Sequence, residues 1–203
     1  MKTVRRLLYG DIVASVVFVA FAFLSLFFFM TFPAFPAEVA GVKIPDTDQQ
    51  LVLNGAGLRK RAFFQVYVIG LYLPEKKSAA ADAVAATGAK RIAIHMLRNV
   101  DAGEFAGALT DGMKKNVNEA EMTAFDPRLK QLAAIMAEMK EAKEGMRITL
   151  DWLPAAGTQV TVNGKPAGAP IPGEDFYRAL LKIWLGDDPV QADLKRALLG
   201  EKQ

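Results

Sequence analysis

The sequence of 203 residues has no cysteine and a single histidine, His95. Without a thiol the chain can form no disulfide, no thiolate metal site and no cysteine nucleophile. One histidine also excludes a metal site built on several imidazoles and weighs against a Ser-His catalytic pair. We therefore predict neither a metal nor a cofactor, and we expect His95 to be a half-buried structural residue on a strand.

An excess of charge of one sign is also missing. The chain has 25 Lys and Arg against 22 Asp and Glu, a net charge of +3. Residues 1–37 hold three of those cations and one of the anions, so the rest of the chain has a net charge of only +1. Nucleic-acid binding needs a concentrated basic face, and we predict no nucleic-acid partner.

The first 37 residues have the composition of a targeting segment. Lys2, Arg5 and Arg6 precede an uncharged run over residues 12–32. A secretory signal has a shorter apolar region of about 7–15 residues, whereas about 20 can span a bilayer. We predict that residues 1–37 are either a signal peptide or an N-terminal membrane anchor, and that residues 38–203 form the exported domain. That domain would be periplasmic, either soluble or tethered to the inner membrane.

Residues 51–74, LVLNGAGLRKRAFFQVYVIGLYLP, are the most informative stretch. Asn54, Gly55 and Gly57 predict a turn, because such residues visit positive φ at little cost. The run from residue 58 to residue 73 is rich in Phe, Val, Tyr and Ile and predicts a long strand. Gly70 is a candidate site for a bulge in it.

Alternation along that strand predicts a ligand pocket. Period-two counting places Arg59, Gln65 and Tyr67 on one face, among apolar groups that include Phe63 and Ile69. A few placed polar groups on an apolar wall are typical of a small-molecule site. Arg59 is the expected anchor, since a guanidinium holds a carboxylate or phenolate through two parallel hydrogen bonds.

The rest of the sequence predicts an α+β domain. Residues 90–97 alternate as a strand, and a helix capped by Asp101 is expected over residues 101–117. Asp126 and Pro127 predict the start of the next helix. Strands are expected at residues 146–153 and 159–162, followed by two more helices. This order favours helices gathered on one face of an antiparallel sheet.

The motifs in this stretch resemble the chalcone isomerase-like domain, and more closely its bacterial exported branch. The resemblance rests on Asn-Gly-Ala-Gly-Leu-Arg at residues 54–59, Val-Tyr-Val at 66–68 and Gly-Leu-Tyr-Leu at 70–73. It extends more weakly over residues 42–199. It implies an open-faced β-sandwich in which helices cover one face of an antiparallel sheet.

The resemblance implies a site from which most catalytic partners are missing. Chalcone isomerase adds a phenolate oxygen across an enone with an arginine, threonine and tyrosine hydroxyls and an asparagine. Arg59 matches the arginine, but Tyr67 stands at the threonine position and Phe105 near the tyrosine position. Gly112 and Met113 stand where the asparagine is expected.

The residues and the resemblance together leave three candidate functions. The pattern favours a binder of a fatty acid or similar amphipathic anion, because fatty-acid-binding relatives grip a carboxylate with an arginine and a tyrosine. Arg59 would act with Tyr67 or with Tyr72, which needs a bulge, while Gln65 and Phe105 complete the predicted site. The alternatives are an intramolecular lyase or isomerase acting on a phenolic enone, and an interaction module with a vestigial pocket. Lys60 and Arg61 are expected to face solvent.

Overall fold

The structure is a computed structural model that describes residues 37–201. The chain divides into two units, and all the described residues belong to the second, Pro36–Gln203. The predicted targeting segment, apart from Ala37, lies outside the described residues. None of the helices within residues 37–201 is long and apolar enough to cross a bilayer.

The described part of the chain contains strands and helices in mixed order. The strands are β1 (Ala37–Val39), β2 (Val42–Ile44), β3 (Thr47–Asp48), β4 (Leu51–Arg61), β5 (Phe64–Leu73), β6 (Lys90–Met96), β7 (Val100–Asp101), β8 (Glu141–Ala142), β9 (Arg147–Leu153), β10 (Gly157–Val162) and β11 (Lys165–Ile171). The helices are α1 (Ala80–Ala85), α2 (Ala102–Lys114), α3 (Glu119–Ala137), α4 (Glu174–Leu185) and α5 (Ala192–Leu198).

One antiparallel sheet of seven strands organises the domain. Its strand order is β11-β10-β9-β6-β5-β4-β3. Tyr67, Ile69 and Leu71 of β5 face the helices and belong to a large apolar cluster that draws on all five of them. The alternate residues Val68 and Tyr72 face the other way, into a smaller cluster. This confirms the predicted α+β class, with an antiparallel sheet and helices on one face.

The turn predicted at Asn54, Gly55 and Gly57 is wrong, because all three lie inside β4. Asn54 and Gly55 make tertiary contacts instead. A Cβ on Gly55 would overlap the carbonyl oxygen of Ala197, so glycine here lets the backbone of α5 approach the strand. The Asn54 amide donates to the carbonyl oxygen of Leu198 at 2.7 Å.

The chain turns later, so the predicted single strand is a hairpin. β4 and β5 pair on either side of Ala62 and Phe63, and Ala62 has a φ of 52°. The β4–β5 register shifts between Leu53 and Gly55 and again between Arg59 and Lys60. No shift occurs at Gly70, the predicted bulge site.

The start of α2 was predicted correctly, because a single capping residue marks it. The Asp101 carboxylate accepts from the backbone N–H groups of Gly103 and Glu104, at 2.8 and 3.0 Å, and α2 begins after it. The start predicted at residues 126–127 is wrong, because both lie within α3. An earlier capping box, in which Asn118 and Glu121 each accept from the other's backbone N–H, decides where that helix begins.

Candidate functional site around Arg59

Arg59 lies near the end of β4, directly opposite Tyr67 on β5. Residues directly opposite in an antiparallel pair share a face. The expected association of Arg59 with Tyr67 is therefore present, although it is made across a hairpin and not along one strand. Both side chains are on the helical side of the sheet.

Tyr67 is buried between two helices. Its hydroxyl accepts a hydrogen bond from the indole N–H of Trp184 on α4, at 3.0 Å. The ring of Phe105 on α2 meets it edge-on, with centroids 6.4 Å apart. Burial raises the pKa of Tyr67, although the Trp184 hydrogen bond and the nearby Arg59 cation lower it. The phenol is therefore neutral at physiological pH and keeps its O–H as a donor.

The half-buried Arg59 guanidinium has only neutral acceptors among the described residues. Its Nη1 donates to the Gln191 carboxamide oxygen at 3.2 Å and to the Lys60 carbonyl oxygen at 2.5 Å. No ion pair within residues 37–201 includes Arg59. Asp193, two residues after Gln191, is hydrogen-bonded to Gln191, and this bond lowers the pKa of Asp193.

Gln191 links the end of β4 to the start of α5. Its Oε1 accepts from the backbone N–H of Lys60 at 2.8 Å as well as from Arg59. Its Nε2 donates to the Leu58 carbonyl oxygen at 3.0 Å. One carboxamide oxygen thus occupies the point at which a cationic donor and a backbone donor converge. Sequence reasoning missed Gln191, and the only local signal is a polar residue just before an amphipathic helix.

The other predicted site residues lie elsewhere. Gln65 is exposed near the turn of the hairpin, and Phe63, expected to line a ligand tail, is 99% exposed. Tyr72 is on the opposite face, where its hydroxyl donates to the Pro45 carbonyl oxygen at 3.0 Å. β5 has no irregularity between Tyr67 and Tyr72. These two residues are five positions apart, so they must face opposite ways. Of the five predicted ligand residues, only Arg59, Tyr67 and Phe105 lie together.

The space between the sheet and the helices is filled beside Arg59. Tyr67, Phe105 and Trp184 are 7%, 4% and 0% exposed. A surface cavity of about 460 Å³ occurs elsewhere, lined by Pro74, Glu75, Lys77, Asp82, Ala85, Ala86 and Thr87. A ligand tail beside Tyr67 therefore needs the helical layer to move.

His95 lies on the other face of the sheet and is half-buried, as expected. Burial lowers its pKa, and the Arg147 cation lowers it further. Within residues 37–201 no three His, Asp or Glu side chains are grouped so that they could hold a metal ion.

These features define the class of open-faced β-sandwich domains, with a helical layer over one face of an antiparallel sheet and an arginine near the end of a long strand. The chain belongs to the chalcone isomerase-like family, whose family model matches residues 36–200. The fold is also similar to the crystal structure of an Arabidopsis thaliana fatty-acid-binding protein, with a TM-score of 0.63 and 16% sequence identity over 78% of this chain and 92% of that one. No curated protein sequence matches the chain significantly.

Proposed function

We propose that this domain binds a fatty acid or a similar amphipathic anion, with the anionic headgroup at Arg59. The observation that supports this most is the set of neutral acceptors around Arg59. A guanidinium bonds most strongly to an ionised acceptor with two oxygens. Gln191 offers it one uncharged oxygen, so a carboxylate would be the better partner.

The headgroup would take the place of the Gln191 carboxamide. An oxygen at the position of Gln191 Oε1 would accept from Arg59 and from the backbone N–H of Lys60 together. The neutral hydroxyl of Tyr67, on the same face, is the third donor available to it. Because Gln191 immediately precedes α5, its displacement releases that helix from the end of β4.

The tail needs room that the packed interior lacks. α5 is a helix of seven residues whose Leu194 and Leu198 are fully buried. Asn54 and Gln191 hydrogen-bond its two ends to β4. A headgroup that displaces Gln191 breaks one of these attachments, and the tail would then occupy space that α5 vacates over Tyr67 and Trp184.

An isomerase activity has less support. The Tyr67 hydroxyl is buried and already accepts from Trp184, while Phe105, Gly112 and Met113 supply neither hydroxyl nor amide. We expect no cyclisation of a chalcone above the rate in buffer. The interaction module stays the second candidate because the interior is filled, but a vestigial site would have Arg59 neutralised by an internal carboxylate, and none of the described residues provides one.

The place of action is proposed from the composition of residues 1–37 and from the resemblance to the exported branch of the family. The positive start and the uncharged run of residues 12–32 support export to the periplasm, as in the bacterial exported branch of the family. The mass of the chain isolated from a periplasmic or a membrane fraction would separate a cleaved signal peptide from a retained anchor.

The test is a titration of the full-length chain, in a nonionic detergent, with palmitate labelled with carbon-13 at its carboxyl group. We expect a bound carboxyl resonance distinct from that of palmitate in detergent. Arg59→Ala should weaken binding about tenfold to a hundredfold, which corresponds to one charge-assisted hydrogen bond. Arg59→Lys should restore only part of it, because an ammonium cannot make the two-point contact.

Three further variants sharpen the test. Lys60→Ala and Arg61→Ala should leave the affinity almost unchanged, since both side chains are exposed. Gln191→Ala should bind up to about tenfold more tightly, because it removes the competing acceptor. Equal affinity of the wild type and Arg59→Ala, with unchanged circular dichroism, would exclude Arg59 as the anchor. A loss of affinity in Gln191→Ala would exclude the displacement step alone.

A further inference from the structure

The tip of the β4–β5 hairpin, residues 60–65, exposes two adjacent aromatic rings. Phe63 is 99% and Phe64 58% exposed. Within residues 37–201 the only other exposed large apolar side chain is Leu153, and it is only 37% exposed. Single exposed apolar residues are ordinary, but two neighbouring phenylalanines at a projecting turn contribute nothing to the core and cost solubility.

Positive charge surrounds these rings. Lys60 and Arg61 are exposed at the end of β4, and Arg98, just past β6, places its guanidinium carbon 4.4 Å from the centroid of the Phe64 ring. None of these three cations takes part in an ion pair with a described carboxylate.

Carboxylates are scarce near the tip. The sequence has no Asp or Glu over residues 51–73 or over residues 90–99. Glu144 is brought to this end of the sheet, where its backbone N–H donates to the Asn99 carboxamide, but Lys143 precedes it in the chain. Asp193 reaches the base of the tip through its hydrogen bond to Gln191, which also bonds to Lys60, and the positive charge of Arg59 offsets it. The hairpin tip therefore combines two exposed aromatic rings with an excess of three positive charges.

We propose that the hairpin tip docks on an anionic lipid surface. Phe63 and Phe64 insert at the boundary between headgroups and acyl chains, while Lys60, Arg61 and Arg98 meet the lipid phosphates. Aromatic groups with adjacent Lys and Arg are the combination that holds peripheral proteins at anionic bilayers. This contact is separate from the predicted anchor in residues 1–37, and it does not depend on a fatty acid at Arg59.

The shape of the tip favours a bilayer over a protein partner. A stable protein interface buries about 1,000 Å² or more with complementary surfaces. A convex turn of a few residues presents far less area to a folded partner, whereas a fluid bilayer closes around it. The Arg98 guanidinium over the Phe64 ring keeps a cation beside the ring that inserts.

The absence of cysteine allows a site-specific probe of docking. The full-length chain with Gln65→Cys, labelled with an environment-sensitive NBD dye, keeps both phenylalanines. Ala155→Cys, in the exposed β9–β10 turn at the opposite end of the sheet, is the matched control. Each chain is reconstituted in phosphatidylcholine vesicles with or without phosphatidylglycerol. We expect a blue shift and quenching by lipid-borne nitroxides at residue 65, only with phosphatidylglycerol, and no response at residue 155.

Substitutions in the labelled Gln65→Cys chain test the two parts of the tip. Phe63→Ser should lower the docking equilibrium constant about tenfold or more. Arg61→Gln should lower it about fivefold, the effect of one cation near an anionic surface, and high salt should act in the same direction. Lys76→Gln removes an exposed cation beyond the far end of β5 and should change nothing.

Four results would overturn the proposal. These are no response to phosphatidylglycerol at residue 65, an equal response at residues 65 and 155, and an equal effect of Lys76→Gln and Arg61→Gln. The fourth is a blue shift that needs no anionic lipid and grows with protein concentration, which would mean that a second copy of the chain covers the tip.

Discussion

Arg59 and Arg91, on opposite faces of the sheet, have different kinds of partner. On the helical face, Arg59 bonds to a carboxamide and a carbonyl oxygen, with no described carboxylate in an ion pair. On the other face, Arg91 is buried and makes a two-point contact with Asp151, at 2.6 and 2.9 Å, while its remaining arm meets Asp48 at 2.6 Å. The first guanidinium has neutral acceptors, and the second is held by two carboxylates.

The paired face is tied together by charge across distant segments. Asp48 of β3 also meets Arg147 of β9 through its second carboxylate oxygen. Thr149 donates to the Asp151 carboxylate at 2.9 Å. Asp48 thus connects β3 to both β6 and β9 by ion pairs. Ile44 and Tyr72, on the same face, belong to one apolar cluster. On this face, therefore, the paired charges stabilise the fold.

The largest expected effect comes from removing the carboxylate charge beside Arg91. Asp151→Asn keeps the side-chain shape but leaves the buried Arg91 with Asp48 as its only anionic partner. Removal of one partner of a buried ion pair costs about 3–5 kcal/mol. We expect a loss of that size in the free energy of unfolding, measured by urea denaturation.

Asp175→Asn is the matched control for this variant. Arg128 makes the same two-point contact with Asp175, at 2.7 and 2.9 Å, but the Asp175 side chain is 60% exposed. Exposed pairs contribute about 0–1 kcal/mol. Equal losses in the two variants would mean that burial does not set the strength of the Arg91 contacts.

A smaller effect is expected on the helical face from Tyr67→Phe. The substitution leaves the buried indole N–H of Trp184 without its acceptor. An unsatisfied buried donor costs about 1–3 kcal/mol. Urea denaturation should show a loss in this range, and a change below about 0.5 kcal/mol would mean that Trp184 finds another acceptor.

Local patterns in the sequence predicted much of the fold. The strand near residues 90–97 follows from period-two alternation, and the start of α2 follows from the carboxylate of Asp101. The hairpin was missed because Ala62 and Phe63 carry no turn signature, whereas Asn54, Gly55 and Gly57 do. Asn54 and Gly55 contact α5, which is distant in sequence, and local propensity cannot distinguish that use from a turn.

The candidate site was predicted only where its geometry is local. Arg59 and Tyr67 are eight residues apart and share a face by strand pairing. Gln191 is 132 residues from Arg59, and Asp151 is 60 residues from Arg91. Such pairs leave no periodic signal in a single sequence, so neither the competing acceptor nor the charge network could be deduced from it.

The smallest expected effect is that of Tyr72→Phe, and its sign should depend on pH. Near neutral pH the variant loses the hydrogen bond to Pro45, which contributes about 0.5–1.5 kcal/mol. Burial, with the Asp48 carboxylate, raises the pKa of Tyr72 from 10.0 to about 12. Between those two values the unfolded chain has released a proton that the folded chain keeps, so the wild type loses stability as pH rises. The loss is about 1.4 kcal/mol for each pH unit in that window, and the Tyr72→Phe variant does not undergo it.

The comparison of the two chains isolates Tyr72. Tyr67 and Tyr177 also have raised pKa values, but both chains keep these residues, so their contributions cancel. Urea denaturation of the two chains should therefore show the wild type ahead near neutral pH and the variant level with it or ahead at roughly pH 11. A difference that stays constant over this range would mean that the Tyr72 hydroxyl titrates as it does in the unfolded chain, and that the charged face of the sheet does not exclude water from it.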